Sequence, residues 1–258
     1  MRKSCLYSLL MKTLVTLFCI LGSCNFLAAA AISASIVTNG PYTIVIYPSG
    51  SIKEISVNNV PILKRGTFFV YYNEKKDSQF SANTQDAKID IHDKEGTKII
   101  SCSGKCKENG NNIEFIQRIT FSSDGLIDIE LKIKYLLDTV SKYPIQYELG
   151  FASPEIVYGQ ECEIITSDGQ QKQGIFPESD FKNCKVLIDY FKTGWKPQKL
   201  IAQTKNNTLL GFEFPDASAM LYLSANGGLN WIMNPEGEVT PGAIVVFHFK
   251  VILSDKKK

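Results

Sequence analysis

The sequence predicts an all-β protein, a large antiparallel β-sandwich, on three observations. Leu126–Leu137 alternates cleanly, with Ile127, Ile129, Leu131, Ile133 and Tyr135 on one face and Asp128, Glu130, Lys132 and Lys134 on the other. That is the period-two pattern of a long strand with one wet face. The run before it, Asn112–Phe121, puts Ile113, Phe115, Ile119 and Phe121 on one face, and Ser122-Ser123-Asp124-Gly125 joins the two as an Asp-Gly hairpin. Beyond the N-terminal region no stretch of helical length, about ten residues or more, keeps a 3.6 period, and turn signals recur about every 8–12 residues.

Further strands read in the same way. They are Tyr42–Tyr47, Thr67–Tyr72, Ala87–His92 and Thr97–Cys102, then Ile145–Phe151, Lys185–Phe191, Leu209–Phe214 and Ala219–Ser224. Ala243–Leu253 closes the series, with Val245, Phe247, Phe249, Val251 and Leu253 predicted to face the core.

The N-terminus carries an address. Residues 1–30 hold Arg2, Lys3 and Lys12 and no acidic residue, Leu14–Leu21 is almost wholly apolar, and small residues follow. A basic start, an apolar middle and a small-residue cleavage zone make a secretory signal. A membrane span needs about 20 predominantly apolar residues, and Gly22, Ser23 and Asn25 interrupt this one.

Two cuts compete. Leu21-Gly22-Ser23-Cys24 resembles the lipobox of bacterial lipoproteins, which would make 1–23 the signal and Cys24 the acylated first residue, tethering the protein in the periplasm or at the cell surface. A cut after Ala28-Ala29-Ala30 would instead make 1–30 the signal and release a secreted protein. Either way, residues 31–258 read as a single domain, since no linker, internal repeat or low-complexity block divides them.

The full chain has a formal charge of +2; without the three basic residues of 1–30 it becomes −1. A near-neutral domain has no basic footprint for nucleic acid, and contact with a membrane is expected only through the possible lipid anchor. Cys102, Cys106, Cys162 and Cys184 remain in the exported part, where disulfides are expected. Of the three possible pairings the local one is favoured, Cys102 with Cys106 and Cys162 with Cys184, because Ser103-Gly104 offers turn chemistry. No metal site is expected: the chain has two histidines, and a Cys-x3-Cys pair alone is not a zinc ligand set. No other cofactor is implied.

Tyr42–Leu63, "YTIVIYPSGSIKEISVNNVPIL", resembles the start of galactose mutarotase-like domains: a strand, a Gly turn, a strand, a short turn and an apolar pair. Glu236–Leu253, "EGEVTPGAIVVFHFKVIL", resembles their last unit, in which a Pro-Gly turn launches a long closing strand. The resemblance implies a β-supersandwich and a carbohydrate connection. Mutarotases of that superfamily use histidines and a glutamate for proton transfer. Here His92 falls on the polar face of its strand and His248 inside the closing strand, and neither lies in a segment matching the family's histidine motifs. No catalytic residue is therefore assigned.

The expectation is an exported sandwich that binds a glycan or another extracellular ligand, without catalysis. One rival is a carbohydrate-active lyase, glycosidase or epimerase with carboxylate or tyrosine chemistry; for glycoside hydrolysis the carboxylate pair would come from among Glu148, Glu155, Glu161, Glu163 and Glu213. A further rival is a structural protein of the cell envelope. Candidate ligand contacts are Trp195 in the loop "KTGWKPQK", Trp231, and the set Tyr143, Tyr147 and Glu148, since aromatic rings stack on sugar faces and carboxylates bond hydroxyls.

Overall fold

The computed structural model describes residues 34–71, 79–81, 87–108, 111–136, 145–176, 178, 197–214, 219–223, 229–233 and 239–255. Within them the chain forms strands and one 3₁₀ turn, Pro154–Ile156. The first half supplies β1 (Ser35–Asn39), β2 (Tyr42–Ile46), β3 (Ile52–Val57), β4 (Val60–Tyr71) and β5 (Gln79–Ser81). β6 (Ala87–Lys94), β7 (Thr97–Glu108), β8 (Asn111–Phe121) and β9 (Leu126–Tyr135) follow. Next come β10 (Gln146–Phe151), β11 (Glu161–Thr166), β12 (Gln171–Ile175), β13 (Pro197–Gln203) and β14 (Thr208–Glu213). β15 (Ala219–Leu223), β16 (Leu229–Met233) and β17 (Ile244–Asp255) complete the set.

They build two antiparallel sheets. The first runs β1-β2-β3-β4-β10-β16-β15, with β5 on β4; the second runs β12-β11-β13-β14-β17-β9-β8-β7-β6. The expected all-β sandwich is therefore present. The expected strand at Lys185–Phe191 lies outside the described residues.

The alternation that marked β9 now has a cause. Ile127, Ile129, Leu131, Ile133 and Tyr135 are fully buried, and Phe247, Phe249, Val251 and Leu253 of β17 are buried beside them. β17 pairs with β9 from Ile244↔Lys134 to Ile252↔Leu126, so the two apolar faces coincide. Aromatic rings complete the core, with centroids 5.1 Å apart for Phe68 and Phe115 and 5.3 Å for Tyr147 and Phe249.

One polar residue breaks the apolar stripe of β8. Gln117 stands on the same face as Ile113, Phe115 and Ile119, and it is buried. Its Nε2 donates to the Gly50 carbonyl at 2.8 Å, and its Oε1 accepts from the Tyr147 hydroxyl at 3.2 Å. A buried amide is tolerated when both ends are bonded in this way.

The Cys102–Cys106 disulfide expectation is overturned. Both residues lie on β7, with Cys102 opposite Gln117 and Cys106 opposite Ile113, and both thiols are free and buried. Ser103-Gly104-Lys105 continues the strand instead of turning, because β6 and β8 hold its backbone on both sides. Four residues of extended chain span about 13 Å at roughly 3.3 Å each. A disulfide needs Cα atoms about 4.4–6.8 Å apart. Burial pushes the Cys102 thiol up to about 12 and that of Cys106 to about 11. Cys162 is buried on β11, while its expected partner, Cys184, lies outside the described residues.

Candidate functional site

Among the described residues, Glu148 on β10 and Glu163 on β11 each carry a buried carboxylate oxygen that no hydrogen-bond donor reaches. Such an oxygen is costly to leave unmet, so each position is a place to look for chemistry.

Glu148 lies on the face of the first sheet that points away from the core, since its neighbours Tyr147 and Leu149 are fully buried on the other. Its side chain is 17% exposed, and Arg65 Nη1, on a side chain 60% exposed, stands 3.7 Å from Oε1. Arg65 sits at a bulge: β10 and β4 pair at Glu148↔Thr67 and Gly150↔Lys64, leaving Arg65 and Gly66 opposite Leu149 alone. Its φ of +63° places it in the left-handed region, which a bulge can impose. Desolvation raises the Glu148 carboxyl above its ordinary value, and Arg65 works against that rise.

This gives a pH signature. Between the ordinary glutamate value and the raised folded value, the folded state holds more protons than the unfolded chain. Stability therefore falls as pH rises through that window. Glu148→Gln removes the titration and should gain on the wild type from about pH 4 upward, levelling off above the folded value. Thermal melts of both proteins across that range check it, and parallel curves would contradict it.

Glu163 belongs to a cleft. The outer face of the second sheet, where β11, β12, β13 and β14 meet, encloses about 470 Å³. The register explains the grouping. Glu163 pairs with Gln173 on β12 and with Ile201 on β13, while Glu161 pairs with Ile175 and Gln203 with Leu209. Cys162, Ile164, Leu200 and Ala202, which alternate with these, are buried toward the core. The cleft thus presents two carboxylates, the two amides of Gln173 and Gln203, and apolar walls from Ile175, Ile201 and Leu209. Its volume falls within the range of about 300–1,000 Å³ usual for small-molecule sites.

The candidate contacts read from the sequence are scattered. Tyr147 is 0% exposed, between the sheets, with its hydroxyl committed to Gln117. Trp231 is on β16, in register with Leu149 of β10, whereas Glu148 is in register with Ile232. Trp195, Tyr143 and Cys24 lie outside the described residues. Among the other glutamates, Glu213 is held by Lys199 at 2.7 Å and Glu155 is exposed on the 3₁₀ turn. His248 Nε2 meets Asp128 Oδ1 at 3.0 Å across β17 and β9, and His92 is exposed on β6. Gln173 and Gln203 were not singled out from the sequence. A glutamine on a strand of mixed polarity carries no local mark, and only the pairing of β11 with its neighbours assembles the group.

This architecture, two large antiparallel sheets, is a β-sandwich that resembles galactose mutarotase-like structures in fold. The chain is similar to the crystal structure of galactose 1-epimerase from Lactobacillus acidophilus NCFM, with a TM-score of 0.53 and 6% identity over 84% of this chain and 92% of that one. It is similar to an aldose epimerase homologue from C. elegans, with a TM-score of 0.52 and 10% identity over 86% of this chain and 99% of that one. An alpha-mannosidase from Enterococcus faecalis V583 also matches, with a TM-score of 0.52 and 11% identity over 84% of this chain, but the match spans 29% of the larger enzyme. The likeness at these identities is one of fold, and the fold is one that carbohydrate-active proteins use. No family model matches the sequence. No curated protein matches it either.

Proposed function

We propose that this chain is an exported protein that binds a glycan in the cleft over β11–β14 and does not transform it. The observation that carries the reading is the Glu163 carboxylate, with one buried oxygen that no donor among the described residues reaches, set in a cleft with the amides of Gln173 and Gln203. A carboxylate accepts from two neighbouring hydroxyls, and an amide accepts at its oxygen while its nitrogen donates. Ile175, Ile201 and Leu209 give the apolar faces of a sugar ring something to lie against. The fold shared with carbohydrate-active proteins supports a sugar ligand.

A second reading is hydrolysis. It is favoured by Glu161 and Glu163 standing in one cleft, since glycoside cleavage uses a carboxylate pair. A glycan array probed with the protein and with Glu163→Ala tests the first reading. Binding is expected for the wild type, with a loss of about tenfold or more in the variant. An array without any hit would contradict it. Shortened products after incubation with a captured glycan would establish the second reading.

Export rests on the N-terminal signal, and we take Cys24 as its acylated boundary. Each buried methylene of an acyl chain adds about 0.8 kcal/mol of membrane affinity, so multiple acylation holds the protein firmly. In a bacterial host the wild type should fractionate with membranes, whereas Cys24→Ser should be soluble or unprocessed. A soluble wild type beginning at Ala31 would rule the anchor out.

A further inference from the structure

The cleft over β11–β14 has a neighbour. A second cavity of about 360 Å³ opens beside it, lined by Ile165, Gln198, Lys199, Glu213 and Phe214. Three strands run from one to the other: β11 from Glu161 to Ile165, β13 from Gln203 to Lys199, and β14 from Leu209 to Glu213. Ile165 pairs with Lys199 and Lys199 with Glu213, so these three form one row across the sheet. Ile164, Leu200 and Phe212, next to them in the chain, are buried toward the core, which keeps this row on the face that carries Glu163. Each strand advances four residues between the cavities, about 13 Å at roughly 3.3 Å per residue. That is longer than one pyranose ring. Either volume alone falls within the range of about 300–1,000 Å³ usual for a small ligand.

The second cavity has its own polar chemistry. Lys199 Nζ donates to Glu213 Oε1 at 2.7 Å, and the two side chains are 32% and 34% exposed. Beyond that bond the ammonium keeps two donors and the carboxylate its second oxygen. The pair is balanced in charge and offers a donor beside an acceptor. Neighbouring sugar hydroxyls match it, one accepting from Lys199 and the next donating to Glu213.

We infer that the two cavities are consecutive subsites for an uncharged, unbranched oligosaccharide laid along β11, β13 and β14, with Lys199 and Glu213 holding the sugar in the second. This rests on the reading of the cleft as a glycan site and adds the course of the chain and two binding residues.

Titration calorimetry with the full exported protein would compare short and long members of three series: cellobiose and cellopentaose, maltose and maltopentaose, xylobiose and xylopentaose. In the series that binds, the pentamer is expected to bind about tenfold or more tightly than the dimer, the effect of added hydrogen bonds to charged groups. Lys199→Met and Glu213→Gln should each erase that gain and leave the dimer's affinity unchanged, and either serves if the other fails to fold. Glu163→Gln should weaken both lengths. Equal affinity of dimer and pentamer, or a gain that survives both substitutions, would overturn the inference and leave the glycan reading standing. Weakening of dimer and pentamer alike by both would mark the pair as structural and overturn it too. Silence of all three series beside a glycan array with hits would overturn the uncharged chain. Silence on the array as well would overturn the glycan reading itself.

Discussion

Replacing Phe247 by alanine is expected to cost about 3–5 kcal/mol, the range for truncating a fully buried aromatic. The residue is 3% exposed and faces the core from β17, which lies between β14 and β9 in the second sheet. Opposite it stands Leu131 of β9, itself fully buried. The void would open where β17 backs onto the first sheet, beside Phe249, whose ring packs on Tyr147. No polar group is exposed by the change, so the loss is one of packing and transfer. For a domain of this size 1 kcal/mol corresponds to about 2–4 °C in melting temperature, so a fall of roughly 6–20 °C is expected. A denaturant midpoint that moves with an unchanged slope would confirm a loss of stability without a change of state. An unmoved midpoint would show that β17 is peripheral.

Gly125→Ala should be as damaging for a different reason. Gly125 ends the β8–β9 hairpin with φ +90°, and a Cβ there would stand 2.0 Å from the Leu253 carbonyl oxygen and 2.7 Å from the Tyr42 ring. Neither neighbour is free to retreat. Leu253 donates its N–H to the Gly125 carbonyl at 3.0 Å, and its own carbonyl accepts from the Tyr42 hydroxyl at 3.1 Å. Three parts of the chain meet at this point: the hairpin, the closing strand and β2. The backbone strain alone is on the order of 1–3 kcal/mol, and the clash adds to it, for a total of about 3 kcal/mol or more. Gly96→Ala is the control. Gly96 also has a left-handed φ, +77°, but open space around it, so its cost should stay near about 1 kcal/mol. Equal losses in the two variants would show that the contact at Gly125 is not the cause.

How much of this was legible in the sequence depends on where the information is stored. The β8–β9 hairpin was legible because every signal is local. The alternation fixes the faces, Asp124 Oδ1 accepts from the Leu126 N–H at 3.2 Å, and Gly125 supplies the turn. β17 was legible for the same reason. Gln117 was not, because a glutamine on an apolar face looks like a fault in the pattern until Gly50 and Tyr147 are seen to bond both its ends. The Cys102–Cys106 pairing failed because Ser-Gly is turn chemistry only where no neighbouring strand claims the backbone, and both β6 and β8 do.

The candidate site was the least legible part. β11 and β12 carry Glu161-Cys162-Glu163 and Gln171-Lys172-Gln173, runs too polar to mark themselves as strands. Their role depends on register: Glu163 meets Gln173 and Ile201 only because the three strands align at those residues. The individual glutamates were visible as candidates. That two of the five share a cleft, that a third is bound to Lys199 and that a fourth faces Arg65 on the other sheet is information held in the pairing.

The central claim is that a glycan sits on β11–β14, and amide chemical-shift mapping with a bound oligosaccharide tests it most directly. The account predicts that the shifts concentrate at Glu161, Glu163, Gln173, Ile201 and Gln203, and that Glu163→Gln diminishes them. Shifts gathered instead around Arg65 and Glu148 on the first sheet would contradict it.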